Sequence, residues 1–191
     1  MIDEFKAWLE DNTGLYASLD AALDRLTPGS RILAVGPFSL IAAAIAGERV
    51  DEAAIELMCA DEEALADFRR NIDLESRIPV RQGVEGVYDL VYAPMYVNHI
   101  PKKDLVAFLF DVYDCLSYNG HFIFSFEDSL RVDLSGERPV PLWFCDQEVM
   151  TKYYTVEDVL NTLVTIGFKV RGIEEVEGEG IVHAVSFDCT R

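Results

Sequence analysis

Nothing in this chain is spaced to hold a metal or to close a disulfide framework. Its four cysteines, Cys59, Cys115, Cys145 and Cys189, lie far apart and form no C-x-x-C pair, so they read as core thiols. The three histidines, His99, His121 and His183, are equally scattered, and no metal site is expected. Basic residues are scarce, 16 against 34 acidic ones for a formal charge of -18. Binding a phosphate backbone depends on Lys and Arg placed against it, so a nucleic-acid partner is excluded. The acidity itself is the ordinary solvated, self-repelling kind, and it suits a cationic ligand only weakly. No run approaches the roughly 18 apolar residues of a membrane span. The start, Met1-Ile2-Asp3-Glu4-Phe5-Lys6, lacks the basic and apolar regions of a secretory signal, and the expected compartment is the cytoplasm.

What is present is a single globular domain over residues 1–191, half of them hydrophobic. Residues 1–28 carry Phe5, Trp8, Leu9, Leu15, Tyr16, Leu19, Leu23 and Leu26 mostly at three- and four-residue spacings, an amphipathic helical segment. After the turn Thr27-Pro28-Gly29-Ser30, apolar runs at 31–35, 54–59, 78–82 and 88–93 read as buried strands. Between them, 40–46 and 62–71 read as helices, the first entered at Ser39 and ended at Gly47. A helix over 103–116 leads to a strand of β-formers at 121–126. Thr155 and Asp158 open a helix that runs to residue 166 and stops at Gly167. The runs 168–176 and 181–189, joined by Glu177-Gly178-Glu179-Gly180, form an antiparallel hairpin. Strands alternating with helices imply an α/β fold with a doubly wound, mostly parallel sheet.

Several segments, in order, resemble the class I S-adenosylmethionine-dependent methyltransferases. Asp89-Leu90-Val91 is similar to the opening of that family's fourth strand, and Tyr96-Val97-Asn98-His99-Ile100-Pro101 to the loop after it. Cys115-Leu116-Ser117-Tyr118-Asn119-Gly120-His121 resembles the family's L-K-P-G-G turn into the fifth strand. Tyr153-Tyr154-Thr155-Val156-Glu157-Asp158 and Ile166-Gly167-Phe168-Lys169-Val170 resemble its Y-Y-T-x-E-E-L and A-G-F-x-V segments. The resemblance extends from about Arg31 to the end of the chain. It implies a seven-stranded sheet in the order 3-2-1-4-5-7-6, the last strand antiparallel, with helices on both faces. It also implies S-adenosylmethionine as cofactor and a small-molecule methyl acceptor.

The family's first strand leads into an acid and then G-x-G-x-G, because glycines let the backbone approach the cofactor. Here the run is Leu33-Ala34-Val35-Gly36-Pro37-Phe38-Ser39-Leu40. Only Gly36 keeps the pattern, and Ala34 stands at the acid. Phe38 replaces the second glycine, where its ring would narrow the methionine end of the pocket; Leu40 replaces the third. The resemblance thus maps cofactor contacts onto Gly36, Pro37, Phe38 and Ser39, and onto Ala93 at the end of the fourth strand. The ribose-binding acid aligns with Cys59. Asp61, two residues on, either takes over that role or caps the helix beginning near Glu62. Glu85 is the substitute for the adenine-contacting acid after the third strand.

Methyl transfer needs alignment and a dry site more than a dedicated catalytic group. The catalytic candidates are Tyr96 and His99, beside Asn98, just past the fourth strand where open α/β sheets bind ligands. His99 could accept a proton from the acceptor; equally, Asn98 and His99 could shape the start of the next helix. Residues 127–152, with Leu142-Trp143-Phe144 and Met150, form a long segment that serves either as a lid over an apolar acceptor or as packing. Trp8 and Tyr16 stand under the same pair of alternatives. Two functions follow: a small-molecule methyltransferase with a rearranged cofactor loop, or a non-catalytic homologue that binds another ligand or supports a partner protein.

Overall fold

Four consecutive apolar residues, Ile32–Val35, all buried, make strand β1, which is possible only with both faces of the sheet covered. A computed structural model of the chain describes residues 23–24, 26–36, 55–58, 80–81, 83–128, 138–142, 147–151, 154–178 and 181–191. In chain order β1 is followed by β2 (Ile55–Met58), β3 (Val80–Arg81) and β4 (Tyr88–Ala93). Helix α1 (Lys102–Cys115) leads into β5 (Leu116–Glu127), then β6 (Arg138–Leu142) and β7 (Gln147–Thr151). Helix α2 (Val156–Ile166), β8 (Lys169–Gly178) and β9 (Ile181–Thr190) complete it. The main sheet has the order β3-β2-β1-β4-β5-β9-β8. The pairs among β1 to β5 are parallel, while β9 is antiparallel to both β5 and β8.

The helices are specified locally. On α1, Leu105, Phe108, Leu109, Val112 and Cys115 are buried at three- and four-residue spacings, one apolar stripe on a helix. On α2 the Thr155 side chain accepts from the Asp158 backbone N–H, and Gly167 closes the helix at φ 118°, a left-handed stop that favours glycine. Both helices join one core with the same-face residues Phe122, Phe124 and Phe126 of β5 and Phe187 of β9. The expected helices at 40–46 and 62–71, and those within 1–28 apart from its last few residues, fall outside the described residues.

Two segments differ from the sequence reading. Strand β5 begins at Leu116 rather than 121, and its register with β4 slips between the pairs Tyr88↔Leu116 and Leu90↔His121. Asn119, at φ 67°, and Gly120 absorb the extra residues. A Cβ on Gly120 would stand 2.9 Å from the Tyr88 carbonyl oxygen, so the turn hugs β4 too closely for a side chain. The segment 127–152, read as irregular, contains the β6–β7 antiparallel pair. Pro139 and Pro141 conceal β6 in the sequence, because a residue without an N–H argues against an interior strand yet is tolerated in a two-stranded ribbon whose strands are both edges. Trp143 and Phe144 lie outside the described residues.

The amino edge of the sheet is tied by charge. The Asp89 carboxylate accepts from the Arg31 backbone N–H at 2.9 Å and from the Ser117 hydroxyl at 2.7 Å, joining β1, β4 and β5. Arg31 pairs with Glu56 of β2 at 2.6 Å, and its guanidinium lies 4.9 Å from the Tyr88 ring centroid. The Tyr88 hydroxyl, with one proton to donate, stands 2.9 Å from the other Glu56 oxygen and 2.7 Å from the Glu85 carbonyl. Glu56 is thus a buried carboxylate held by charge-assisted hydrogen bonds.

Cys115 and Cys189 are buried and free. The Cys115 thiol donates to the Val112 carbonyl at 3.1 Å, and burial, reinforced by the charges of Asp111 and Asp114, pushes its pKa up to about 12. Burial pushes Cys189 up as well. A raised thiol is neutral in the fold while the unfolded chain ionises from about pH 8.5. Its contribution is therefore complete below that pH and is lost as pH rises through the folded value. In a Cys59→Ser/Cys145→Ser background, a disulfide reagent at pH 8 is expected to label neither remaining thiol in the native protein and both after denaturation. Native labelling at the unfolded rate would contradict the burial.

Candidate functional site

Strand order reverses between β1 and β4, since β2 and β3 lie to one side and β5 to the other. Such a switch point opens a crevice at the carboxyl ends of the strands. β1 ends at Val35, and the next residue, Gly36, turns with φ +84° while its N–H donates to the Met58 carbonyl of β2 at 2.8 Å. Beside it β4 ends in the fully buried Ala93. Gly36 and Ala93 leave this part of the edge free of long side chains of their own.

The loop after β4 is fixed to the end of β5. Met95 takes φ 55°, and its N–H donates to the Ser125 hydroxyl at 3.0 Å. Residues Val97–His99 form a 3-10 turn in which the Asn98 side-chain oxygen accepts from the buried Glu127 N–H at 2.8 Å. Asn98 is 2 % exposed, so its role is to anchor the turn. The Tyr154 hydroxyl donates to the Ile100 carbonyl, and the phenol is pushed up to about 12, first by burial and then by the Asp104 charge. β7 lies against the 3-10 turn, which places part of the 127–152 segment beside this loop. Two buried acids stand next to it, Glu127 at the end of β5 and Asp128 just past it, and Asp128 forms an isolated parallel bridge with Tyr154.

Tyr96 occupies the centre. A Cβ built on Gly36 would stand 2.5 Å from Tyr96 Cδ2 and 3.0 Å from its Cγ. The ring therefore fills the volume that glycine leaves empty. Its other side meets Phe108 edge-to-face, with centroids 5.5 Å apart and planes at 63°. His99 follows at the end of the turn, its N–H donating to the Tyr96 carbonyl at 2.9 Å.

The structure thus brings together Gly36, Ala93 and Tyr96, with His99 tied to Tyr96 through its backbone. It does not bring Glu85 to them. The Glu85 carbonyl is bonded by Tyr88, the first residue of β4, whereas Ala93 is the last, so Glu85 belongs to the amino edge. Pro37, Phe38, Ser39, Cys59 and Asp61 lie outside the described residues, as do Trp8 and Tyr16. Sequence reasoning missed Ser125, Glu127 and Asp128. Their signal was the alternation in Phe122, Phe124 and Phe126, which turns Ser125 and Glu127 to the opposite face. Among the described residues no group of three or more His, Cys, Asp or Glu could hold a metal, and no helix is long and apolar enough to cross a membrane.

No protein-family model matches the chain, and no curated protein matches it. Solved structures do. An S-adenosylmethionine-dependent methyltransferase from Mesorhizobium loti aligns at 18% identity over 93% of this chain and 98% of its own, with a TM-score of 0.69. One from Clostridium acetobutylicum aligns at 13% identity over 97% and 91%, also at 0.69. The 1,6-didemethyltoxoflavin-N1-methyltransferase of Burkholderia thailandensis, solved with 1,6-didemethyltoxoflavin and S-adenosylhomocysteine, aligns at 13% identity over 99% and 82%, at 0.64. At such identities the likeness speaks to architecture: this chain has the fold of the class I S-adenosylmethionine-dependent methyltransferases.

Proposed function

We propose that the chain is an S-adenosylmethionine-dependent methyltransferase acting on a small molecule. The observation that carries this reading is the placement of left-handed Gly36 just past β1 and of Ala93 at the end of β4, two adjacent parallel strands, at the switch point of the sheet. Numbered without the β6–β7 pair, the order β3-β2-β1-β4-β5-β9-β8 corresponds to the 3-2-1-4-5-7-6 arrangement that the resemblance implies. The neighbour holding 1,6-didemethyltoxoflavin and S-adenosylhomocysteine supports a small acceptor, and the charge of -18 argues against nucleic acid.

The residues present fit the cofactor in one respect that can be tested on geometry. Gly36 carries no side chain and turns left-handed at the strand end, with Tyr96 lying against the volume its Cβ would take. Gly36 and Ala93 would hold the cofactor against the strand ends. When bound, the cofactor supplies a methyl group on a positively charged sulfur. The chain then has three tasks. The loop pinned by Met95 and Asn98 keeps the crevice in shape, β7 beside the 3-10 turn restricts access of water, and His99 takes a proton from the acceptor.

A second reading, a non-catalytic homologue that binds another ligand or supports a partner protein, is favoured by Phe38 and Leu40 standing where the resemblance expects glycines. Calorimetric titration with S-adenosylhomocysteine decides between them. Saturable one-to-one binding is expected. Absence of heat at millimolar ligand, in wild type and in a Phe38→Gly/Leu40→Gly variant, would leave the non-catalytic reading.

A further inference from the structure

We propose that β8 is an interaction surface for a second copy of this chain, the two β8 strands pairing antiparallel about a two-fold axis so that two seven-stranded sheets run into one. β8 is the last strand of its sheet, bonded to β9 on one side. An outermost strand of ten residues without proline presents a row of backbone groups to any strand that fits them. The strand at the other end, β3, has only two residues among those described. Near the middle of β8, Ile173 is 43 % exposed, an apolar side chain on an edge. β8 stands third from β4 in the sheet order, so the pairing is separate from the crevice at β1 and β4 and does not rest on the cofactor reading.

The charges of β8 select the occupant. Lys169 and Arg171 precede Ile173, Glu174 and Glu175 follow it, and all four are exposed. Charges that protect an edge repel a second copy when they share one sign. Here the sign changes at the centre, so antiparallel pairing sets the basic half of each strand along the acidic half of the other, while parallel pairing would set like on like. Register follows from the faces. Phe187, opposite Ile173, lies on the core side of β9, so Ser186 and Thr190 lie on the other side. Glu174 pairs with Ser186, and Arg171 Nε donates to the Thr190 hydroxyl oxygen at 3.2 Å, which puts Glu174 and Arg171 on one face. The register with β9 shifts between Val170 and Gly172, so Arg171 bulges beside Gly172. The space there is open, with nothing within 4 Å of a Cβ built on Gly172. A two-fold axis through Ile173 sets Gly172 opposite Glu174 of the second copy and brings Arg171 next to that carboxylate, twice by symmetry. An axis through Glu174 would oppose two carboxylates.

Each copy carries a charge of -18, which opposes self-association, but charges more than about 8 Å apart are largely screened at physiological ionic strength. Paired strands lie only ~5 Å apart. Two joined edges make a small interface, so the dimer should have micromolar or weaker affinity. In sedimentation velocity the mean mass should rise between micromolar and submillimolar protein toward that of a dimer and stop there. Arg171→Glu and Glu174→Arg should each weaken association about tenfold or more, by turning two unlike pairs into two like ones. Mixed in equal amounts, the two variants should recover the wild-type affinity, because each new charge then meets its opposite across the interface. The summed charge of that mixed pair equals that of two wild-type copies, so general repulsion is held constant. Ile173→Lys, which opposes two ammonium groups at the axis, should weaken association as well and serves if thermal melting shows that a charge variant does not fold.

A wild type that stays monomeric at every concentration would overturn the proposal. Association that survives both charge reversals and Ile173→Lys would overturn it by placing the contact elsewhere, as would a mass that climbs past the dimer. Loss in both charge variants with no recovery in their mixture would overturn the antiparallel pairing of Arg171 with Glu174.

Discussion

Gly36→Ala is expected to destabilise the domain by about 2 to 5 kcal/mol, and a large part of that loss should disappear when Tyr96 is also replaced by alanine. Two effects add in the single variant. A non-glycine residue at φ +84° carries left-handed strain of roughly 1 to 2 kcal/mol. Its Cβ also meets the Tyr96 ring at 2.5 Å, and overpacking of that kind costs about 1 to 3 kcal/mol. Only the second effect depends on the ring. Denaturant unfolding of wild type, both single variants and the double variant forms a cycle whose coupling should be about 1 to 3 kcal/mol in favour of the double variant. Strict additivity would show that Gly36 is required by its backbone alone and that the ring yields freely. Coupling of that size would show that the ring occupies the volume the glycine leaves.

This contact explains how much of the site the sequence could disclose. Tyr96 and Gly36 were both legible as candidates, one from the loop after the fourth strand and the other from the remnant of a glycine pattern. Their contact was not legible, because it depends on β1 and β4 lying side by side although Gly36 and Tyr96 are 60 positions apart in the chain. Glu85 fails in the converse way: its position after the third strand suggested the carboxyl edge, but the path from β3 to β4 has already crossed to the amino edge by that point. Local elements read well where a single residue dictates the backbone, as with the Thr155 cap and the left-handed Gly167 on α2. β4, bounded in sequence at 88–93, has those bounds in the fold. Reading failed where regular structure contains residues that usually end it, as with Pro139 and Pro141 in β6 or Asn119 and Gly120 within β5. Glu56, a charge inside an otherwise apolar strand, meets Arg31 and Tyr88, which reach it from two other segments.

Phe124→Ala is expected to have the largest effect of any single truncation in the core, and to reach the site through β5. Phe124 is fully buried and stacks on Phe122 at 4.5 Å and on Phe187, its cross-strand partner, at 5.2 Å. Removing a buried phenylalanine costs about 3 to 5 kcal/mol, the lost transfer energy plus the cavity left between neighbours that cannot close on it. Phe124→Leu keeps most of the volume and should cost roughly 1 kcal/mol, so it remains measurable in a domain of ordinary stability. The same strand carries the polar anchors of the loop: Ser125 receives the Met95 N–H, and the Glu127 N–H reaches Asn98. If that loop is held by β5, its amides open only when β5 does. Native-state hydrogen exchange at Met95 and Glu127 should then accelerate in Phe124→Leu by the factor that unfolding itself does, about fivefold for 1 kcal/mol. Exchange at Met95 that is fast in wild type and unchanged in the variant would mean that the loop opens on its own. The position of Tyr96 over Gly36 would then be set by the loop's own contacts and not by β5.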